Sequence, residues 1–141
     1  VNTVLIVLTE VPLNAAMGRW SHRKSMATGA IFTAVGYGAL ALAIGPVTTA
    51  MTVVLWTVGE MILFPSLSAY VSELSPAEQR GRYMGLYAMN FSLAFAIGPW
   101  IGTRVLETIG GPSLWLLCLG VGLLSAVMFL RVRGAPPGTH S

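Results

Sequence analysis

The chain alternates long apolar runs with short polar or Gly/Pro-rich breaks. Apolar residues dominate about 1 to 18, 26 to 45, 48 to 72, 84 to 106 and 113 to 130. The breaks are GRWSHRK, Gly45-Pro46, SPAEQRGRYMG from Ser75 to Gly85, and Gly110-Gly111-Pro112. Each run is close to the roughly 20 residues that a helix needs to cross a hydrocarbon core. No two-residue alternation competes, and in lipid a helix satisfies its own backbone polar groups. The pattern therefore predicts an all-α integral membrane fold of five transmembrane helices. Within the third break, Ser75, Pro76 and Glu78 have the spacing of a capping box, which predicts a helix starting there with Ser75 as N-cap.

Composition supports the membrane assignment. The 141 residues are 55% hydrophobic and 9% charged, with mean hydropathy +0.74, whereas a soluble domain carries roughly 25% charged residues. The net charge of +3 is too small and too dispersed for a nucleic-acid surface. The single cysteine, Cys118, lies in an apolar run and reads as a small buried hydrophobe.

Charge also orients the chain. Arg19, Arg23 and Lys24, then Arg80 and Arg82, then Arg131 and Arg133 fall in regions that five crossings place on one side. The positive-inside rule makes that side cytoplasmic, so residues 19–25, 74–83 and the C-terminus are expected there. Arg104 falls near the opposite end of its span, where it can snorkel outward with Glu107 as a partner three residues on. Trp20 and Trp115 fall at opposite interfaces, as aromatic anchors do. Residues 134–141, GAPPGTHS, read as a disordered tail, leaving 1–133 as the transmembrane part. The chain opens on Val1 inside an apolar run, so the expectation is a piece of a longer membrane protein without a cleavable signal.

Chemistry inside the spans rests on two acids. Glu10 and Glu60 each sit near mid-span, where a central acid costs ~2.5–3.5 kcal/mol on insertion scales. Glu10 shares a helical face with Thr3 and Asn14, and Glu60 one with Trp56 and Thr57. Pro12 and Pro65 follow them and can kink their helices toward a water-filled cavity. Two readings stand for each acid. It takes up a proton or meets a cationic substrate in a cavity, or it is a hydrogen-bonded tie between helices.

The fourth span presents Tyr83, Tyr87 and Asn90 as a polar aromatic face, suited to a cavity or to an interfacial band. It also carries Gly98 and Gly102 around Pro99, a small-xxx-small pair suited to helix packing and read as a separate face.

Together these motifs resemble one family. TVGEMILFPSLSAYVSELSPAEQRGRYMGLYAMNFSLAFAIGPWIG resembles the tenth and eleventh helices of a major facilitator superfamily transporter of the bacterial drug-efflux-like branch, with their cytoplasmic loop. NTVLIVLTEVPLNAAMGRWSHRKSM is similar to that family's eighth helix and following loop. There Gly18 and Arg23 match the G-x-x-x-D-R-x-G-R/K motif, while His22 replaces the acid and Ser25 the glycine, which puts the motif's charge relay in doubt. GPWIG resembles the antiporter motif, with Thr103 in place of its last glycine.

The resemblance implies a partial fold, helices eight to twelve of a bacterial inner-membrane protein, whose partners are the bilayer, the missing N-terminal half, a small-molecule substrate and protons. It implies alternating access. Cavity candidates are then Glu10, Asn14, Glu60, Tyr87 and Asn90, and Gly18, Arg19, His22, Arg23, Lys24, Pro76, Arg80, Gly81 and Arg82 belong to the gate loops. No cofactor or metal is implied.

A five-helix membrane scaffold that docks to a partner is the alternative of another class. An intramembrane enzyme is disfavoured, because serine or metal chemistry wants a histidine within a span, and His22 and His140 lie outside them.

Overall fold

The computed structural model describes residues 20 to 132. The predicted first span and tail, with Glu10, Pro12, Asn14, Gly18 and Arg19, lie outside the described residues. Among the described residues the fold is all-helical: α1 (His22–Ala39), continued by a 3-10 turn at Leu40–Leu42, α2 (Pro46–Leu74), α3 (Arg80–Ile109) and α4 (Gly111–Arg131). All four are long and apolar enough to cross a membrane. They extend past the apolar runs at nearly every end, because hydropathy marks only what lies in hydrocarbon and helices continue into the interface.

The turns are made as their residues dictate. Pro46 starts α2 at its first position, where its missing N–H is no loss. The Thr48 hydroxyl accepts from Gly45 N–H at 3.0 Å. Between α3 and α4, Gly110 has φ +94°, a conformation that side-chain-bearing residues rarely adopt.

One terminus departs from expectation. Ser75 ends α2 instead of starting the next helix: its hydroxyl donates back to the Val71 carbonyl. Pro76 then leads into a 3-10 turn at Ala77–Gln79, and α3 begins at Arg80 without a side-chain cap. A serine hydroxyl can serve the helix before it or the helix after it. Here the preceding helix wins, and Ser75 is buried.

α1 is the centre of the bundle. In its most apolar window 44% is buried, against 28% for α2, 6% for α4 and none for α3. α2 and α4 flank it, each antiparallel to it: Gly29 meets Gly59 and Leu63, Gly36 meets Trp56, Gly38 meets Leu119 and Ala34 meets Gly122. Lipid tails are as apolar as leucine, so association here comes from close backbone approach instead of apolar burial. A Cβ on Gly59 would lie 2.4 Å from Thr33 N, and one on Gly36 2.6 Å from Trp56 N. These glycines, with Gly29 and Gly122, set the helix spacing.

Gly98 and Gly102 have no described residue within 4 Å of a built Cβ. Among the described residues the small-residue pair of α3 meets no other helix.

Serine and threonine hydroxyls within the spans turn back on their own helices. Thr33 donates to Gly29 O, Thr57 to Val53 O, Ser66 to Ile62 O, Ser92 to Ala88 O and Ser125 to Val121 O, at 2.7–3.1 Å. Each hydroxyl proton is thereby satisfied without water. α2 and α3 remain continuous helices through Pro65 and Pro99.

Candidate functional site

Glu60 lies half-way along α2 and is half-buried. Its carboxylate accepts from the Tyr37 hydroxyl of α1 at 3.5 Å, a long hydrogen bond. The Tyr37 ring is stacked on Trp56 of α2 at 4.7 Å between centroids, with 11° between planes. Trp115 of α4 lies parallel to the same ring at 6.5 Å. Trp56 and Glu60 are one helical turn apart on α2, so both meet α1. Trp115 is therefore part of a ring stack within the bundle as well as being near a helix end.

Among the described residues Glu60 has no cationic neighbour. The basic residues of α1 and α4 are Arg23, Lys24 and Arg131, all in terminal turns remote from it. Arg104 of α3 lies over the Trp100 ring, 6.0 Å from its centroid. That cation–π contact, and not an ion pair with Glu107, is the one formed by the arginine among the described residues.

Tyr87 and Asn90 are on α3, away from this stack. Tyr87 packs edge-on against Phe91 at 5.0 Å, and Phe91 in turn meets Phe64 of α2 at 5.4 Å. The Asn90 amide donates to Leu86 O at 3.0 Å and is exposed. Asn90 lines an open groove of about 390 Å³ with Leu93, Ala94, Ile97, Gly98 and Ile101, all from α3. Asn90 and Gly98 thus share one face of α3 instead of occupying two, since eight residues are a little over two turns.

At the basic end His22 and Glu73 pair at 2.9 Å, joining the start of α1 to the end of α2. The Arg23 guanidinium donates to the Leu130 carbonyl in the last turn of α4, where a cation meets the negative end of the helix dipole. Arg80, Gly81 and Arg82 are exposed in the first turn of α3. His22, which stands where the motif's acid would be, pairs with an acid on another helix. The pair is solvent-accessible, so His22→Ala is expected to lower stability by about 0.5 kcal/mol or less, measured by thermal unfolding in detergent.

The sequence reading missed Tyr37 as the partner of Glu60 and Trp115 as a ring parallel to Tyr37. Gly36 and Trp56 face each other at nearly equal distances from the Gly45-Pro46 turn, but the same rule sets Tyr37 opposite a residue well short of Glu60, so spacing from the turn carried no signal for that pair. No such rule links Trp115, which reaches α1 from a helix distant in sequence.

A family model described as Major Facilitator Superfamily matches residues 1–141. The chain is 27% identical over 110 residues to the uncharacterised MFS-type transporter YqjV of Bacillus subtilis, covering 77% of this chain and 26% of YqjV. It is 29% identical over 142 residues to YttB of the same organism, also an uncharacterised MFS-type transporter, covering 96% of this chain and 36% of YttB. With multidrug resistance protein MdtH of Shigella flexneri it shares 28% identity over 110 residues, 74% of this chain and 27% of MdtH. The chain spans about a quarter to a third of these relatives. No solved structure gives a significant match. With four apolar spanning helices and a family match along its whole length, the chain is an integral membrane protein belonging to the Major Facilitator Superfamily.

Proposed function

We propose that this chain forms part of a secondary transporter that exports small molecules by alternating access, coupled to protons, with Glu60 as a coupling or substrate-binding acid. The observation that carries the reading is Glu60 itself, a carboxylate half-way along a membrane-crossing helix with a tyrosine hydroxyl and, among the described residues, no cation beside it. A carboxylate so placed is neutralised by a proton or by a cationic ligand, and exchange between the two is the elementary step of proton-coupled export. Family membership supports transport, and the multidrug-resistance name of MdtH supports export of small molecules.

Tyr87 and Asn90 contribute a second polar surface on α3, to be faced by helices from the rest of the transporter. Glu10 and Asn14 belong to the same proposal. The segments around His22–Lys24 and Pro76–Arg82 act in it as cytoplasmic gate elements, and Gly98, Pro99 and Gly102 as the packing site for an opposing helix. The membrane is the bacterial inner membrane in this reading.

The test is Glu60→Gln in a full-length transporter containing this chain. Dye efflux driven by a proton gradient is expected to fall at least tenfold at equal membrane abundance. Unaltered efflux would remove Glu60 from the mechanism.

A further inference from the structure

We infer that an anionic phospholipid binds at the basic end of the bundle, its phosphate on Arg23 and Lys24 and one acyl chain in the cavity where α1, α2 and α4 meet. That half-open cavity measures about 180 Å³, and its walls include Ala30, Thr33, Tyr37, Cys118, Ser125 and Phe129. On α1 the wall is one stripe, since Ala30, Thr33 and Tyr37 recur at i, i+3 and i+7. Arg23 stands about two turns before Ala30, roughly 10 Å nearer the helix start, and so heads the same stripe.

Charge selects the headgroup. Arg23 and Lys24 are exposed in the first turn of α1, which holds no acid. The Arg23 guanidinium gives one donor to the Leu130 carbonyl, which ties it to the end of α4 and leaves the rest of its five N–H groups for a phosphate. Glu73, at the same end of α2, is taken by His22, and among the described residues neither Arg23 nor Lys24 has an ion-pair partner. Arg131, next to Leu130, adds a third cation in the same interface. Each basic residue near the membrane surface strengthens the hold on an anionic lipid. A zwitterionic headgroup brings its own cation and gains little.

The wall selects a hydrocarbon chain. The hydroxyls of Thr33, Ser125 and Tyr37 donate to Gly29 O, Val121 O and the Glu60 carboxylate, so the cavity offers a polar ligand only the weak thiol of Cys118. From Phe129 to Cys118 it follows α4 for roughly 16 Å, against the roughly 15 Å that one leaflet contributes to the hydrocarbon core. Its depth is that of a lipid chain. Pockets that enclose whole ligands begin at roughly 300 Å³, so this one takes part of one chain and leaves the other in the bilayer.

The inference does not rest on the export reading, and its test needs no transport. The 141-residue chain, delipidated in detergent, is titrated with dioleoyl phosphatidylglycerol, with dioleoyl phosphatidylcholine and with glycerol 3-phosphate, and bound lipid is counted by native mass spectrometry. Phosphatidylglycerol is expected to bind saturably, one per chain, at least tenfold more tightly than phosphatidylcholine. Glycerol 3-phosphate, a phosphate without chains, is expected not to bind. Arg23→Gln with Lys24→Gln is expected to remove the preference, and Ser125→Phe, which fills the cavity and leaves the charges, to weaken phosphatidylglycerol at least tenfold.

Equal affinity for the two lipids, binding without saturation, or glycerol 3-phosphate held as tightly as phosphatidylglycerol overturns the inference. So does a preference that survives the double substitution, or an affinity that survives Ser125→Phe. Where circular dichroism shows that Ser125→Phe has lost helix, Cys118→Leu fills one end of the cavity and is judged by the same loss.

Discussion

Replacing Gly59 by valine is expected to separate α1 from α2 and to destabilise the chain by about 3 kcal/mol, the upper part of the range for overpacking. The first added carbon would stand 2.4 Å from Thr33 N, 2.4 Å from Thr33 Oγ1 and 2.8 Å from Gly29 O. Backbone atoms cannot turn aside as the end of a flexible side chain can, so the helices must part. Parting them also removes the dispersion contacts that hold helices together where lipid supplies no apolar driving force. Gly102→Val is the matched comparison: its Cβ would meet no described residue within 4 Å, and its expected cost is within about 0.5 kcal/mol. Thermal or SDS-induced unfolding in detergent, followed by circular dichroism, measures both. Equal midpoints for the two variants would contradict the packing described for α1 and α2.

Proteoliposomes containing only these 141 residues are expected to show no substrate flux. The reason lies in α3. None of its residues is buried, and among the described residues the groove beside Asn90 is lined by α3 alone. A transport pathway needs walls on all sides that open alternately, and among the described residues no element faces this one across a gap. Ethidium flux driven by an imposed pH gradient is the measurement, with empty liposomes as baseline. Flux above that baseline, abolished by a protonophore, would show that the chain encloses a pathway alone or as an oligomer.

The helices and turns were legible because lipid makes them so. A run of apolar residues closed by Gly45-Pro46 or by Gly110-Gly111-Pro112 has few alternatives once every backbone group must be satisfied internally. Ser75 was misread because a hydroxyl between two helices has two acceptable partners, and sequence spacing favours only one of them. The packing glycines were harder still. Gly98 and Gly102 carry the familiar spacing yet touch no helix among the described residues, whereas Gly59 is critical because Gly29 and Thr33 stand opposite it.

Glu60 was recognisable as anomalous from its position alone. Which helix it turns toward was not, since its face is defined only by what α1 and α4 bring to it.

The glycine seam between α1 and α2 bears on the stability of α1 alone in a bilayer. α1 begins with three polar residues, His22, Arg23 and Lys24, and gives much of its surface to protein contact, so alone in a bilayer it would leave its small-residue seam against lipid chains that fit it poorly. α2 supplies the missing surface, and only Ala43, Ile44 and Gly45 separate it from the end of the 3-10 turn. The two helices are thereby expected to be more stable in the bilayer as a hairpin than α1 is alone.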